Sequence, residues 1–226
     1  MASTTPAHFA KDPSGELAAA MESPVSFKLY YFPVMGRGAT SRDILALAGV
    51  DFKNVYPEEA VISEAAVIET YLAKMCGLLG DDIYEETLIK AFHSTIFSMH
   101  DHFSTTVTFI QPEVRVKSIT AFKSSTLPTF CASLEKHLVA NGGNGHFVGS
   151  KLSLADIRAA NLIEHFAQQP WGSGLLDVVG QYPNLKQLRE SVATHPGLTH
   201  WRRSKEWAEL WKGTKEYFAD AAAAKL

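Results

Sequence analysis

Residues 27–56 constrain the fold more than any other stretch. Phe27-Lys28-Leu29-Tyr30-Tyr31-Phe32 is short, aromatic and closed by Pro33, the pattern of a buried strand. Met35-Gly36-Arg37-Gly38 follows, and its glycines permit a tight turn. Ile44, Leu45, Leu47 and Ala48 then mark an apolar helical face, and Gly49 stands where helices stop. Asp51-Phe52-Lys53-Asn54-Val55-Tyr56 alternates and predicts a second strand. Strand, helix and strand joined this tightly make a βαβ unit, so the two strands run parallel.

Beyond that unit the pattern is helical throughout. Ser63 can cap a helix carrying Ala65, Ala66, Ile68, Tyr71, Leu72 and Met75. Gly77 and Gly80 bracket a linker, and a long helix is expected from about Tyr84 toward Phe103. Pro112 can open another, continuing toward Ala140 and ended by Asn141-Gly142-Gly143-Asn144-Gly145. Ser153-Leu154-Ala155-Asp156 reads as a capping box. The helix it opens carries Leu154, Ile157, Ala160, Leu162, Ile163 and Phe166, more apolar residues than a surface helix needs. It is expected to be central and buried, with Asp156 structural. Later helices are expected over roughly 183–194 and 199–218, the last bearing Trp201, Trp207 and Trp211 packed on the body. The fold class is therefore α+β, with a flexible tail over 1–24, a small βαβ-based domain over 25–79 and an all-helical domain over 80–226.

The 226 residues are 46% hydrophobic and 20% charged, an ordinary globular composition. A formal net charge of −3 gives no electrostatic footprint for nucleic acid or an anionic membrane. No apolar run reaches the roughly 20 residues that span a bilayer. The first residues show no basic stretch followed by an apolar core, so no secretory leader is expected. Two cysteines, Cys76 and Cys131, fit reduced thiols in a cytoplasmic protein. The closing Ala224-Lys225-Leu226 resembles a peroxisomal address, although an Ala-rich chain end produces the same letters. The nine histidines show no metal-ligand spacing, and His100-Asp101-His102 are helical neighbours that point apart. No metal is expected. Phe92, Ile96, Phe97, Met99 and Phe103 suit either an acceptor pocket or interhelical core.

One arrangement suggests chemistry. Tyr31 sits at a strand end, immediately before a Gly-rich turn into a helix. A helix N-terminus favours an anion. A phenol aimed at the same spot can hold a thiolate by a hydrogen bond, and the thiolate is the reactive form of a thiol. A tyrosine in a buried strand is otherwise a core residue.

Lys28-Leu29-Tyr30-Tyr31-Phe32 through Gly36-Arg37 and Arg42 resembles the opening of Tyr-type glutathione S-transferases, nearest to sigma-like and fungal members. Glu64-Ala65-Ala66-Val67-Ile68-Glu69-Thr70-Tyr71-Leu72-Ala73 resembles the family's later Q/E-S-x-A-I-x-R-Y-L-A stretch. Gly149 to Asp156 resembles its G-x-x-x-[ST]-x-A-D motif. The three come in family order. The resemblance implies a thioredoxin-like N-terminal domain, an all-α C-terminal domain and a homodimer. It also implies glutathione as co-substrate and an apolar, electrophilic small molecule as acceptor. Tyr31 falls on the catalytic tyrosine, Arg37 on an arginine beside the bound peptide, and Glu64 and Ala65 on positions contacting its γ-glutamyl end.

The chain departs from that pattern in four places. Ala65 replaces a serine that binds the γ-glutamyl carboxylate, and Met35 replaces an arginine. Phe97-Ser98 stands where the family has an acid reaching across the dimer, with Asp101 one turn on as a substitute. Above all, only Pro57 to Ile62 separate Tyr56 from Ser63. The family places a helix, a cis-proline and two strands there, and a single strand takes about 5–6 residues. Ala60-Val61-Ile62 can be no more than a remnant of the last strand. The N-terminal domain is therefore expected to be shortened, without the strand whose backbone pairs with the cysteinyl unit of glutathione. The alternative function is a non-catalytic protein of the same fold that dimerises or carries a ligand.

Overall fold

The computed structural model describes residues 27–56 and 64–223. The expected tail, the Ala60-Val61-Ile62 remnant, the Ser63 cap and the Ala224-Lys225-Leu226 terminus lie outside those residues. β1 (Phe27–Tyr30) and β2 (Phe52–Val55) pair in parallel, with Phe27 opposite Phe52 and Tyr30 opposite Val55. They form the one sheet among the described residues, and it has two strands. α1 (Gly38–Leu47) crosses between them and ends as expected at Gly49, whose φ is +64°. No described peptide bond is cis, so Pro33 is trans.

α2 (Ala65–Met75) follows, with Glu64 at its N-cap. α3 (Ile83–Phe103) is opened by Asp82, whose carboxylate accepts the Tyr84 and Glu85 N–H groups. It passes without a break into one wide turn, Ser104–Thr108, where the Phe109 N–H reaches back five residues to the Ser104 carbonyl. The single helix expected over 112–140 divides into α4 (Pro112–Ala121), a second wide turn at Phe122–Thr126, and α5 (Leu127–Ala140). Pro128 causes this: it has no N–H for the regular ladder, and it sits in the first turn of α5, where none is needed.

α6 (Leu154–Ala167) is the central helix that its apolar sequence indicates. Every residue from Leu154 to Ile163 is buried. Asp156 accepts the Ser153 N–H at 2.8 Å, its Oγ at 2.9 Å and the Phe147 N–H at 2.9 Å, so the capping box also pins the preceding loop. α7 (Gly172–Val179) is an addition the sequence reading lacked; Gly172 and Gly174 hid its apolar period. α8 (Pro183–Ala193) matches expectation. The last expected helix is two, α9 (Pro196–Arg202) and α10 (Lys205–Ala223). Trp201, Trp207 and Trp211 gather with Leu210 around Met35 and Ala39, so this aromatic group packs on the body of the protein.

The result is a shortened thioredoxin-like unit of two strands, followed by an all-helical body. α1 lies between the two. Its residues Gly38 to Leu45 are all buried, including Arg42 and Asp43, and that burial brings the turn before α1 against α3, α6 and α10.

Candidate functional site

Tyr31 extends the sheet by one bond, its N–H reaching the Val55 carbonyl at 3.1 Å. Its ring then runs beneath the turn. A Cβ on Gly36 would stand 2.7 Å from the Tyr31 hydroxyl, and one on Gly38 would stand 2.8 Å from the ring. Gly36 also has φ +43°, where side chains are strained. These two glycines let the backbone lie directly across the phenol. In that position the Arg37 N–H donates to the Tyr31 hydroxyl at 2.9 Å. The oxygen is thereby an acceptor, and the phenolic proton is left for a further partner. The hydroxyl thus meets the start of α1.

Arg42 fixes the turn from beneath. It is fully buried and its guanidinium lies 5.5 Å from the Tyr31 ring centroid. Its Nε donates to Asn54 Oδ1 at 2.8 Å, and its Nη atoms donate to the Val34, Met35 and Phe32 carbonyls. Burial works against its charge, opposed by Tyr56, Tyr31, Glu206 and Asp43.

The Arg37 side chain turns toward α3. It forms an ion pair with Asp101 and lies 5.3 Å from the centre of the Phe97 ring. Asp101 is therefore paired within its own chain. The same ring has the Arg158 guanidinium 4.6 Å away. Arg158, from α6, donates to His100 Nδ1 at 2.8 Å and reaches Glu69 at 3.4 Å, and Glu69 meets His93 at 2.6 Å. This buried cluster joins α2, α3 and α6 below the phenol. The His100 and His165 rings are 4.2 Å apart. Burial, then Arg158 and Arg37, push His165 down to about 3. Burial, then His165, Arg158 and Arg37, hold His100 well below the usual histidine range. Both imidazoles are neutral near pH 7.

The other sequence candidates are placed less decisively. Glu64 is exposed at the start of α2 with Ala65 beside it. Neither shares a hydrogen bond with Tyr31 or Arg37 among the described residues. Burial raises both thiols, Cys131 to about 12, so neither supplies a thiolate. His100, Asp101 and His102 diverge: to Arg158, to Arg37 and to the Phe122 ring respectively. No group of metal-ligating side chains occurs among the described residues. Ile96 and Phe103 are core and Phe92 stacks on Phe147, whereas Phe97 is the ring under two arginines. Sequence reasoning missed Arg158 and the partners of Phe97. The available signal was the helical spacing of His93, Phe97, His100 and Asp101 on one side of α3.

Residues 98–205 match the family model described as "Glutathione S-transferase, C-terminal domain". "Probable glutathione S-transferase 7" of Caenorhabditis elegans is 26% identical over 211 residues, covering 78% of this chain and 95% of that protein. Over residues 98–205 the chain thus resembles the C-terminal domain of glutathione S-transferases. Human glutathione S-transferase A2 is 25% identical over 194 residues, covering 75% of this chain and 84% of the relative. The solved Pi-class glutathione S-transferase of Onchocerca volvulus superposes with a TM-score of 0.69 at 20% identity. That superposition covers 82% of this chain and 96% of the other, a likeness of fold. The nematode alignment has 211 positions, while 78% of 226 residues is about 176. Roughly 35 of its positions therefore face no residue here, as expected for a shortened chain. No helix among the described residues is long and apolar enough to cross a membrane.

Proposed function

We propose that this chain is a Tyr-type glutathione transferase of the sigma-like or fungal kind, acting on small apolar electrophiles. The observation that carries the reading is the Arg37 N–H donated to the Tyr31 hydroxyl, which occupies an acceptor site of the oxygen and leaves the phenolic proton for a second partner. Glutathione binds as its thiolate, with the thiol proton released to water, and Tyr31 donates its hydrogen bond to sulfur. Favouring the charged form lowers the thiol's pKa and raises the reactive fraction at neutral pH. The thiolate then attacks the electrophilic carbon. A C–S bond forms, and the leaving group departs with the electron pair. Glu64 and Ala65 meet the γ-glutamyl end, and Arg37 holds the peptide's charge while Asp101 orients its guanidinium. The domain boundary near residue 79, a homodimer and a cytoplasmic site of detoxification or secondary metabolism belong to the same reading.

A second reading is favoured by two specific features. Arg37 is already neutralised by Asp101, and the described sheet has two strands. Both weaken the hold on glutathione and suit a non-catalytic member that dimerises or carries a ligand. Retention on immobilised glutathione, followed by conjugation to an activated aromatic chloride, separates the readings. The transferase reading expects retention, turnover, and a Tyr31→Phe variant that stays folded and loses rate by about 10²-fold. A chain that neither binds nor turns over supports the second reading.

A further inference from the structure

The last helix is attached to the turn that follows Tyr31 by two polar routes. Thr214 Oγ1 on α10 accepts the Met35 N–H at 2.7 Å, and the Pro33 carbonyl oxygen lies 3.2 Å from where a Cβ on Gly213 would stand. The second route is longer. Glu206, in the first turn of α10, accepts from Asn54 Nδ2 at 3.0 Å and from the Tyr56 hydroxyl at 2.9 Å. Asn54 Oδ1 in turn accepts from Arg42 Nε, and Arg42 donates to the carbonyls of Phe32, Val34 and Met35. The relay Glu206–Asn54–Arg42 thus runs from the C-terminal helix through β2 and α1 to most of the backbone between Tyr31 and Gly36.

We infer that Glu206 is a positioning residue for the Tyr31 site. A carboxylate only accepts and a guanidinium only donates, so one orientation of the Asn54 amide satisfies both neighbours. Glu206 anchors the far end of that amide. Without it the Asn54 NH₂ loses its acceptor, the side chain is held at one end only, and the acceptor that fixes Arg42 under the turn is loosened. The turn's last element is the Arg37 N–H that meets the phenol, so loosening the turn weakens that hydrogen bond. This rests on the reading in which Tyr31 stabilises a glutathione thiolate.

The test compares wild type with Glu206→Ala, Glu206→Gln and Tyr31→Phe, with Glu216→Gln as a control elsewhere on α10. Amide hydrogen exchange reads the relay without any need for activity. In Glu206→Ala the Met35 and Arg37 amides are expected to exchange about tenfold faster, with His93 to His100 of α3 unchanged. Glu206→Gln keeps an acceptor oxygen and is expected to show a smaller acceleration. In conjugation, the acid limb of the pH profile moves up by about one pH unit in Glu206→Ala, so the rate at acid pH drops about tenfold and recovers in alkali. Glu216→Gln leaves both readouts unchanged. Unaltered exchange at Met35 and Arg37 in folded Glu206→Ala overturns the inference; if Glu206→Ala does not fold, unaltered exchange in Glu206→Gln does so. So does an unmoved acid limb where Tyr31→Phe abolishes turnover. If Tyr31→Phe keeps full activity, or wild type has none, the thiolate reading fails and the exchange result alone decides whether Glu206 orders the turn.

Discussion

The turn around Tyr31 and the helix α6 are neighbours built on different principles. α6 is held by apolar packing: Leu154, Ile157, Leu162 and Phe166 sit in one continuous core with α3, α5 and α8. The turn rests on a sheet of two strands whose edge residues Tyr30 and Phe32 are about half exposed, at 50% and 47%. Directed polar links therefore replace apolar mass there: Arg42 to three carbonyls, Arg37 to Asp101, Thr214 to Met35 and Asp43 to Arg202. Apolar packing tolerates small shifts, since it has no direction, but a hydrogen bond is lost when its partner moves by an ångström. The proposed chemistry thus lies where directed polar links, rather than apolar mass, hold the backbone.

Three changes sharpen that comparison. The largest effect is expected where a polar link lies inside the packed body. Arg158→Ala strips Glu69 of its guanidinium partner in a fully buried place, and is expected to cost about 3–5 kcal/mol in chemical denaturation. Next comes Gly36→Ala, which combines a φ of +43° with a Cβ 2.7 Å from the phenol. It is expected to cost about 1–3 kcal/mol and to lower turnover more than its loss of stability accounts for. The smallest effect is set by pH. His165 is held at about 3 in the fold against an ordinary value near 6.5. The unfolded chain therefore binds the extra proton between those values, and stability that is full above pH 6.5 is lost as pH falls toward 3. At pH 5 the loss from this residue is about 2 kcal/mol. Thermal melts of wild type and His165→Gln from pH 7 to pH 5 should show the shallower slope in the variant. Parallel slopes would contradict the assignment.

The elements that could be read from sequence are those whose pattern is local. The βαβ unit was legible because an aromatic run, two glycines and an alternating strand each signal separately. The capping box at Ser153 and Asp156 was legible because its spacing is its mechanism. The division of 112–140 was missed because the wide turn at Phe122–Thr126 has no local signal apart from the missing N–H of Pro128 that follows it. At the site, Tyr31 and the role of the glycines could be expected from the strand-to-turn junction. The partners of Arg37 could not. Asp101 is 64 residues away, and nothing local marks it as facing the start of α1. Glu206, Asn54 and Arg42 belong to three different elements, so their relay exists only once those elements have packed. Charged residues at such junctions look like any solvated helix face until the fold buries them.

The central claim is that the phenol at position 31 stabilises bound sulfur in its ionised form. Titration of the glutathione thiol in the complex, followed by the ultraviolet absorbance of the thiolate, tests it most directly. The account predicts a thiolate already present at neutral pH in the wild-type complex and an upward shift of at least about one pH unit in Tyr31→Phe. An identical titration in the two proteins, at the value of free glutathione, would contradict it.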